Sequence, residues 1–178
     1  MNLSAKQTLT VETYIEIDYE GSLLNENGKP DYSLESLPWK HWFQTWLEAL
    51  YPNIPAANAY ELSLRLTGDR QIKILNEQYR QKAEPTDVLA FAALETDIPL
   101  PIDEDYLSEP LYLGDIVISL DTAARQARVE AHSLIVELAW LAAHGLLHLL
   151  GWDHPDEQSL AKMLVQQTKL LKYANITR

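Results

Sequence analysis

The chain's hydrophobic periodicities predict an α+β fold, with a small, mostly four-stranded sheet packed against helices. Three observations carry that expectation. Short stretches of alternating apolar residues interleave with stretches of helical period, in the order β-α-β-α-β-β-α-α-α. From Ala123 onward the pattern is helical almost throughout. The length of 178 residues suits one domain with a substantial core, so residues 1–178 are read as a single domain.

The first strand is expected from Thr8 to Tyr19, where Val11, Ile15 and Ile17 alternate with polar positions among β-branched neighbours. Asn25, Asn27, Gly28 and Pro30 then mark a loop. A helical stripe starts at Leu37 and runs through Trp39, Trp42/Phe43, Trp46/Leu47 and Leu50, with Pro38 at its beginning. The area that each tryptophan buries makes this stripe core packing rather than a ligand cage. Leu62, Leu64 and Leu66 form a second strand closed by Gly68, and Asp69 caps a short helix that turns Ile72, Leu75 and Tyr79 inward.

Val88 to Phe91 reads as the third strand and Leu111 to Ser119 as the fourth, with Asp121 capping the helix after it. Between those strands, Ile98 to Pro110 is Pro-rich and acidic and reads as a surface loop. Ala123 to about Val129 and Ser133 to Leu150 are helical, broken near His132 and Ser133. Asp156 opens a last helix whose apolar side carries Leu160, Met163/Leu164, Val165 and Leu170/Leu171.

Composition narrows the function classes. Hydrophobic residues at 47% and charged residues at 22% are the balance of an ordinary soluble protein. Cysteine is absent, so disulfides and thiolate metal sites are excluded, and a transition metal would have to use His and carboxylate ligands. A reducing, cytoplasmic location is expected, since Met1 to Thr8 lack the layout of a secretory signal. The most apolar stretch, Leu134 to Leu150, is interrupted by Glu137, His144 and His148 and is too short for a good membrane span, so no membrane partner is expected.

The formal charge of −12 argues against non-specific coating of nucleic acid, and no DNA partner is expected. Glu95 to Glu109 holds six acids and no base. Arg65 to Lys82 holds five bases (Arg65, Arg70, Lys73, Arg80, Lys82) against Asp69 and Glu77. That segment is the one to meet a polyanion, unless its charges merely solvate a helix face.

The most informative run is His144-Gly-Leu-Leu-His148-Leu-Leu-Gly151-Trp-Asp-His154. Two histidines four apart lie one above the other on a helix, close enough for both imidazoles to reach one ion. Gly151 can adopt the left-handed conformation that ends a helix, and Pro155 disfavours helical backbone at His154. The chain can then turn back and deliver His154 as a third ligand. Among so many leucines, unpaired imidazoles would carry a burial cost that a metal relieves. The lone histidines His41 and His132 read instead as hydrogen-bonded core residues. Three neutral His ligands leave one zinc position open, the pattern of a catalytic site; a closed structural site would draw a fourth ligand from Asp153. Such a metal lowers the pKa of bound water to about 7 and polarises an attacked oxygen.

The spacing matches the metzincin protease pattern at every position but one: Gly145 stands where that pattern has its Glu base. Glycine cannot move a proton, which weighs against peptide hydrolysis. A phosphodiester makes another demand, because its transition state gathers negative charge on non-bridging oxygens and favours a nearby cation. Arg80 is the candidate, in Leu75-Asn-Glu-Gln-Tyr-Arg80-Gln-Lys-Ala-Glu-Pro-Thr-Asp-Val-Leu-Ala-Phe91, since a guanidinium suits phosphate geometry; a helix-end surface charge is the equal alternative.

Three blocks resemble the YbeY endoribonuclease, or rRNA maturation factor, family: Leu75-Asn76 with Tyr79-Arg80 and Pro85 to Phe91; Leu113 to Ile118; and His144 to His154. They span the chain from roughly Leu62 to the last helix, and the histidine block matches even at Gly145 and Asp153. The resemblance implies a compact α+β fold and one Zn2+ on His144, His148 and His154. It implies single-strand-specific RNA cleavage in 16S rRNA 3′-end maturation and ribosome quality control, with Arg80 as the basic residue. The implied partners are the rRNA precursor and small ribosomal subunit, with ribosomal proteins or an assembly GTPase beside them. Ala90 and Trp152 depart from the family's usual Ser and Tyr. Asp87 and Asp115 could orient ligand imidazoles, but turn-capping is the favoured reading. Two other functions compete: a metallopeptidase on a metzincin-like cradle, and a non-catalytic ribosome-assembly factor with structural zinc.

Overall fold

The computed structural model describes residues 9–21, 34–95 and 109–178. Its principal elements are β1 (Thr10–Asp18), α1 (Trp39–Leu50), β2 (Ala59–Thr67), α2 (Asp69–Arg80), β3 (Val88–Ala92), β4 (Leu111–Ser119), α3 (Leu120–Val129), α4 (Leu134–Leu149) and α5 (Glu157–Tyr173). The predicted order of strands and helices and the α+β class are those observed. The loop expected around Asn25 to Pro30 lies outside the described residues, as does all but the last two residues of the acidic loop expected from Ile98 to Pro110.

The sheet runs β1-β2-β4-β3. β1, β2 and β4 are parallel, and β3 pairs antiparallel with β4 at one edge. Leu62, Leu64, Leu66, Leu113, Ile116 and Ile118 join the main core, together with the apolar faces of α1, α4 and α5. The tryptophans of α1 pack in that core as expected, Trp39 edge-on to Trp42 with ring centroids 5.0 Å apart. The other sheet face is only partly covered: Ile72 of α2 meets Leu89 and Val117 in a small second cluster. Beside it Tyr14, Arg65, Tyr79, Phe91 and Asp115 line a cavity of about 540 Å³.

Several local expectations are corrected. Gly68, not Asp69, is the N-cap of α2, and Ser119, not Asp121, caps α3 by accepting from the Thr122 N–H. Asp121 instead accepts from the Asp69 N–H at 2.8 Å and from the Tyr19 hydroxyl at 2.7 Å. The first turn of α2 is thus capped from α3, which no local pattern reveals. Tyr79 is 62% exposed, and Asn76 takes the buried position on α2. On α5 the buried stripe is Met163, Gln167, Leu170 and Leu171, while Leu160, Leu164 and Val165 face outward. That stripe follows the i, i+4, i+7, i+8 spacing of one helix face, and the outward leucines lie on the next.

The apolar run 134–149 forms a 16-residue core helix, and no described helix is long and apolar enough to cross a membrane. Of the two lone histidines, His132 is largely buried and bonded to Glu137 as expected, whereas His41 is exposed on α1.

Candidate metal centre

His144 and His148 occupy the last two turns of α4, one above the other. Gly151 follows at φ +88°, the left-handed conformation anticipated for the reversal. Its N–H bonds the His148 carbonyl at 3.0 Å, and the Trp152 N–H bonds that of Leu147 at 3.0 Å, so the turn is tied to the helix end. Residues 152–154 are non-helical, and α5 begins only after Asp156, which forms a capping box with Ser159. The reversal brings His154 back to α4.

The three imidazoles converge, each offering one nitrogen within 4.8 Å of the others. His144 Nε2 and His148 Nε2 are 3.1 Å apart. Ring centroids lie 4.7 Å apart for His144–His148, 5.1 Å for His148–His154 and 5.5 Å for His144–His154. Burial lowers the His148 pKa to about 4, with the positive charge that His144 and His154 can carry adding to the effect. Burial also lowers the pKa of His144, against the opposing influence of its hydrogen bond to Gln167. Neutral imidazoles with facing lone pairs are the form a transition metal needs.

The outer nitrogens also have partners. His144 Nδ1 lies 3.2 Å from Gln167 Oε1, and His148 hydrogen-bonds the Trp152 backbone. Asp153, the candidate fourth ligand, spends a carboxylate oxygen on the backbone N–H of His154 at 2.8 Å. Among the described residues the convergent group holds three histidines and no acid. The donor set and its spacing therefore fit one ion with a coordination position left over.

Arg80 shares this cleft. With Thr86, Asp87, Ala90 and the three histidines it lines a space of about 460 Å³ between β3 and α4. Its position follows from the α2–β3 connection. Gln81 is left-handed at φ 59°, and buried Asn76 donates from Nδ2 to the Glu84 carbonyl at 2.9 Å, folding the loop back over the helix end. Asp87 takes the turn role, accepting from the Val88 N–H at 2.8 Å and from Gln126 Nε2 at 3.0 Å. Asp115 lies away from the cleft, in the cavity on the opposite face of the sheet. Arg65 also lines that cavity and is paired with Asp18 and Glu16, so the basic run 65–82 does not form one patch.

Gly145 is buried where α4 crosses β4, and a Cβ there would sit 2.7 Å from Ile116 Cγ2. Ile116 is fully buried and cannot swing away, so the position that carries the base in a metzincin has no room for a side chain here. The sequence reading overlooked Gln167; a polar residue among Met163, Leu170 and Leu171 was the available signal.

An α+β scaffold bearing three convergent imidazoles on one helix and its following turn defines a class of small proteins with a candidate three-histidine metal centre. Within that class, the chain belongs to the YbeY endoribonuclease family: the family model described as Endoribonuclease YbeY matches residues 24–175. It is 53% identical over 169 residues to an Endoribonuclease YbeY of Trichormus variabilis, covering 91% of this chain and 95% of the relative. Identity to the protein of that name from Trichodesmium erythraeum is 62% over 135 residues, covering 75% and 72%. The solution structure of a Thermotoga maritima protein shares the fold, with a TM-score of 0.50 at 23% identity over 90% of this chain and 91% of that one.

Proposed function

We propose that this chain is a zinc-dependent, single-strand-specific endoribonuclease acting in late 16S rRNA 3′-end maturation and ribosome quality control in the cytoplasm, with residues 1–178 as one catalytic domain. The observation that carries the reading is the single cleft lined by Arg80, His144, His148 and His154, in a chain whose relatives are named endoribonucleases.

His144, His148 and His154 would hold the zinc, since borderline-soft imidazole donors in a group of three suit that ion. When bound, it supplies Lewis-acid polarisation of a phosphoryl oxygen. The chain's own residues do the rest. Arg80 offers a planar fork of donors to the non-bridging oxygens and neutralises the charge that gathers there. Val88 and Ala90 of edge strand β3 and Leu160 of α5 give the cleft apolar walls that hold a splayed strand and limit water. A cleft of about 460 Å³ accepts a base splayed out of a single strand more readily than a stacked duplex. The absence of a side chain at Gly145 removes the protease alternative's base.

The net charge of −12 makes unaided capture of RNA weak. Delivery therefore falls to partners: the small ribosomal subunit, with ribosomal proteins or an assembly GTPase. The test is cleavage of a single-stranded 16S precursor RNA by zinc-replete protein, beside identically purified His148→Ala and Arg80→Ala. Wild-type cleavage is expected to vanish with chelator and in His148→Ala. In Arg80→Ala it should fall about 100- to 1,000-fold, the scale of losing one transition-state donor. Equal cleavage by all three proteins would sink the proposal, and no cleavage by any would favour a non-catalytic assembly role.

A further inference from the structure

We infer that Gln167 is a positioning residue for this centre, holding His144 in the one tautomer that aims an unprotonated Nε2 at the ion; the inference rests on the metal reading above. Gln167 is fully buried on the α5 stripe between Met163 and Leu170. An amide there costs stability unless both of its ends are bonded. Both ends face partners: Nε2 donates to the Trp140 carbonyl at 2.8 Å, and Oε1 lies 3.2 Å from His144 Nδ1.

The order of constraint runs outward from the backbone. A carbonyl oxygen can only accept, so the NH2 end of Gln167 must face Trp140 and the oxygen end must face His144. An amide oxygen also can only accept, so His144 Nδ1 must carry the proton. In a neutral imidazole the lone pair then falls on Nε2, the atom 3.1 Å from His148 Nε2. Trp140 lies one turn before His144 on α4, so the ring is referenced to the backbone of its own helix through a side chain 23 residues further on.

The test separates the acceptor role from packing. Gln167→Leu keeps an apolar filler but leaves Nδ1 without an acceptor, whereas Gln167→Glu keeps the acceptor and gives up the donor to Trp140. Zn2+ affinity, measured by competition with a chromophoric chelator, is expected to fall about 10- to 100-fold in Gln167→Leu and to stay within about 3-fold in Gln167→Glu. The metal-free unfolding midpoint should move the other way, with Gln167→Glu the less stable. In 15N spectra of metal-free protein at neutral pH, His144 should be protonated at Nδ1 in wild type and Gln167→Glu, and lose that preference in Gln167→Leu.

Wild-type zinc affinity in Gln167→Leu, or losses in both variants that simply track their stability, would overturn the assignment while leaving the metal centre standing. A wild-type protein that binds no Zn2+ would fail the metal reading itself, and the positioning role with it.

Discussion

The two ends of α4 both withdraw histidine from water, and they do opposite things with it. At the N-terminal end His132, with its side chain 10% exposed, is bonded to Glu137, itself 3% exposed. At the other end, about 16 Å along the axis from Glu137 to His148, three imidazoles face one another with no acid among them. Helix polarity favours an anion in the first turn and a cation in the last. Glu137 follows that preference. His148 does not, because burial and its two neighbours bring its pKa to about 4. A buried histidine given its own carboxylate is satisfied and structural. Partly buried histidines whose inner nitrogens face only each other keep those lone pairs and form a ligand site.

The largest effect expected from this contrast is in metal binding. His154→Ala should weaken Zn2+ binding by more than the roughly 10- to 100-fold typical of losing an outer-shell partner. His132→Ala should leave the zinc content of purified protein at the wild-type level. Metal analysis after dialysis reads both, and loss of zinc in His132→Ala would show that the two ends are not independent.

Stability should rank the two ends in reverse. Glu137→Ala removes the carboxylate that His132 is buried against, and breaking a buried pair in this way costs about 3 kcal/mol. His148→Ala, in metal-free protein, removes a half-buried ring with no carboxylate partner and should cost less. Urea unfolding of the two variants without metal makes the comparison, and an equal loss in both would remove the distinction between a satisfied site and an open one.

Which parts of this were legible from sequence follows from how far apart the partners sit. The bounds of β4, the paired turns of His144 and His148 and the reversal at Gly151 are local, written in period, spacing and a single glycine. The convergence of His154 needed only a ten-residue reach and a proline to exclude helix. Arg80 was legible as a cation suited to phosphate, but its arrival in the cleft depends on Asn76 and a left-handed Gln81 shaping the loop. The cap that Asp121 supplies to α2 spans 52 residues, and the Arg65–Asp18 pair spans 47. Such partners are set by strand order, which a hydrophobic pattern does not encode. The buried face of α5 was misread because two neighbouring faces both carry leucine, and only packing against α4 and α1 chooses between them.

The smallest effect tests whether the contrast extends beyond histidine. Asp69 is a partly buried ionisable group, and like Glu137 it has partners: Ser119 Oγ at 2.5 Å, Thr122 Oγ1 at 2.7 Å and Arg125 Nη2 at 2.8 Å. Burial alone would raise its pKa, but these three donors together outweigh burial and hold it below the ordinary value of 3.8. A carboxylate whose folded pKa is lowered binds fewer protons folded than unfolded, so unfolding takes up protons in acid. Its contribution is therefore complete above the unfolded value and is lost as pH falls through the folded one. Wild type should exceed Asp69→Asn by on the order of 1 kcal/mol at pH 6, because the group is partly open to solvent. That margin should shrink as the pH drops below 3.8. A margin that instead widens in acid would mean that burial, not the three donors, governs Asp69, and a satisfied site could then no longer be recognised by its partners alone.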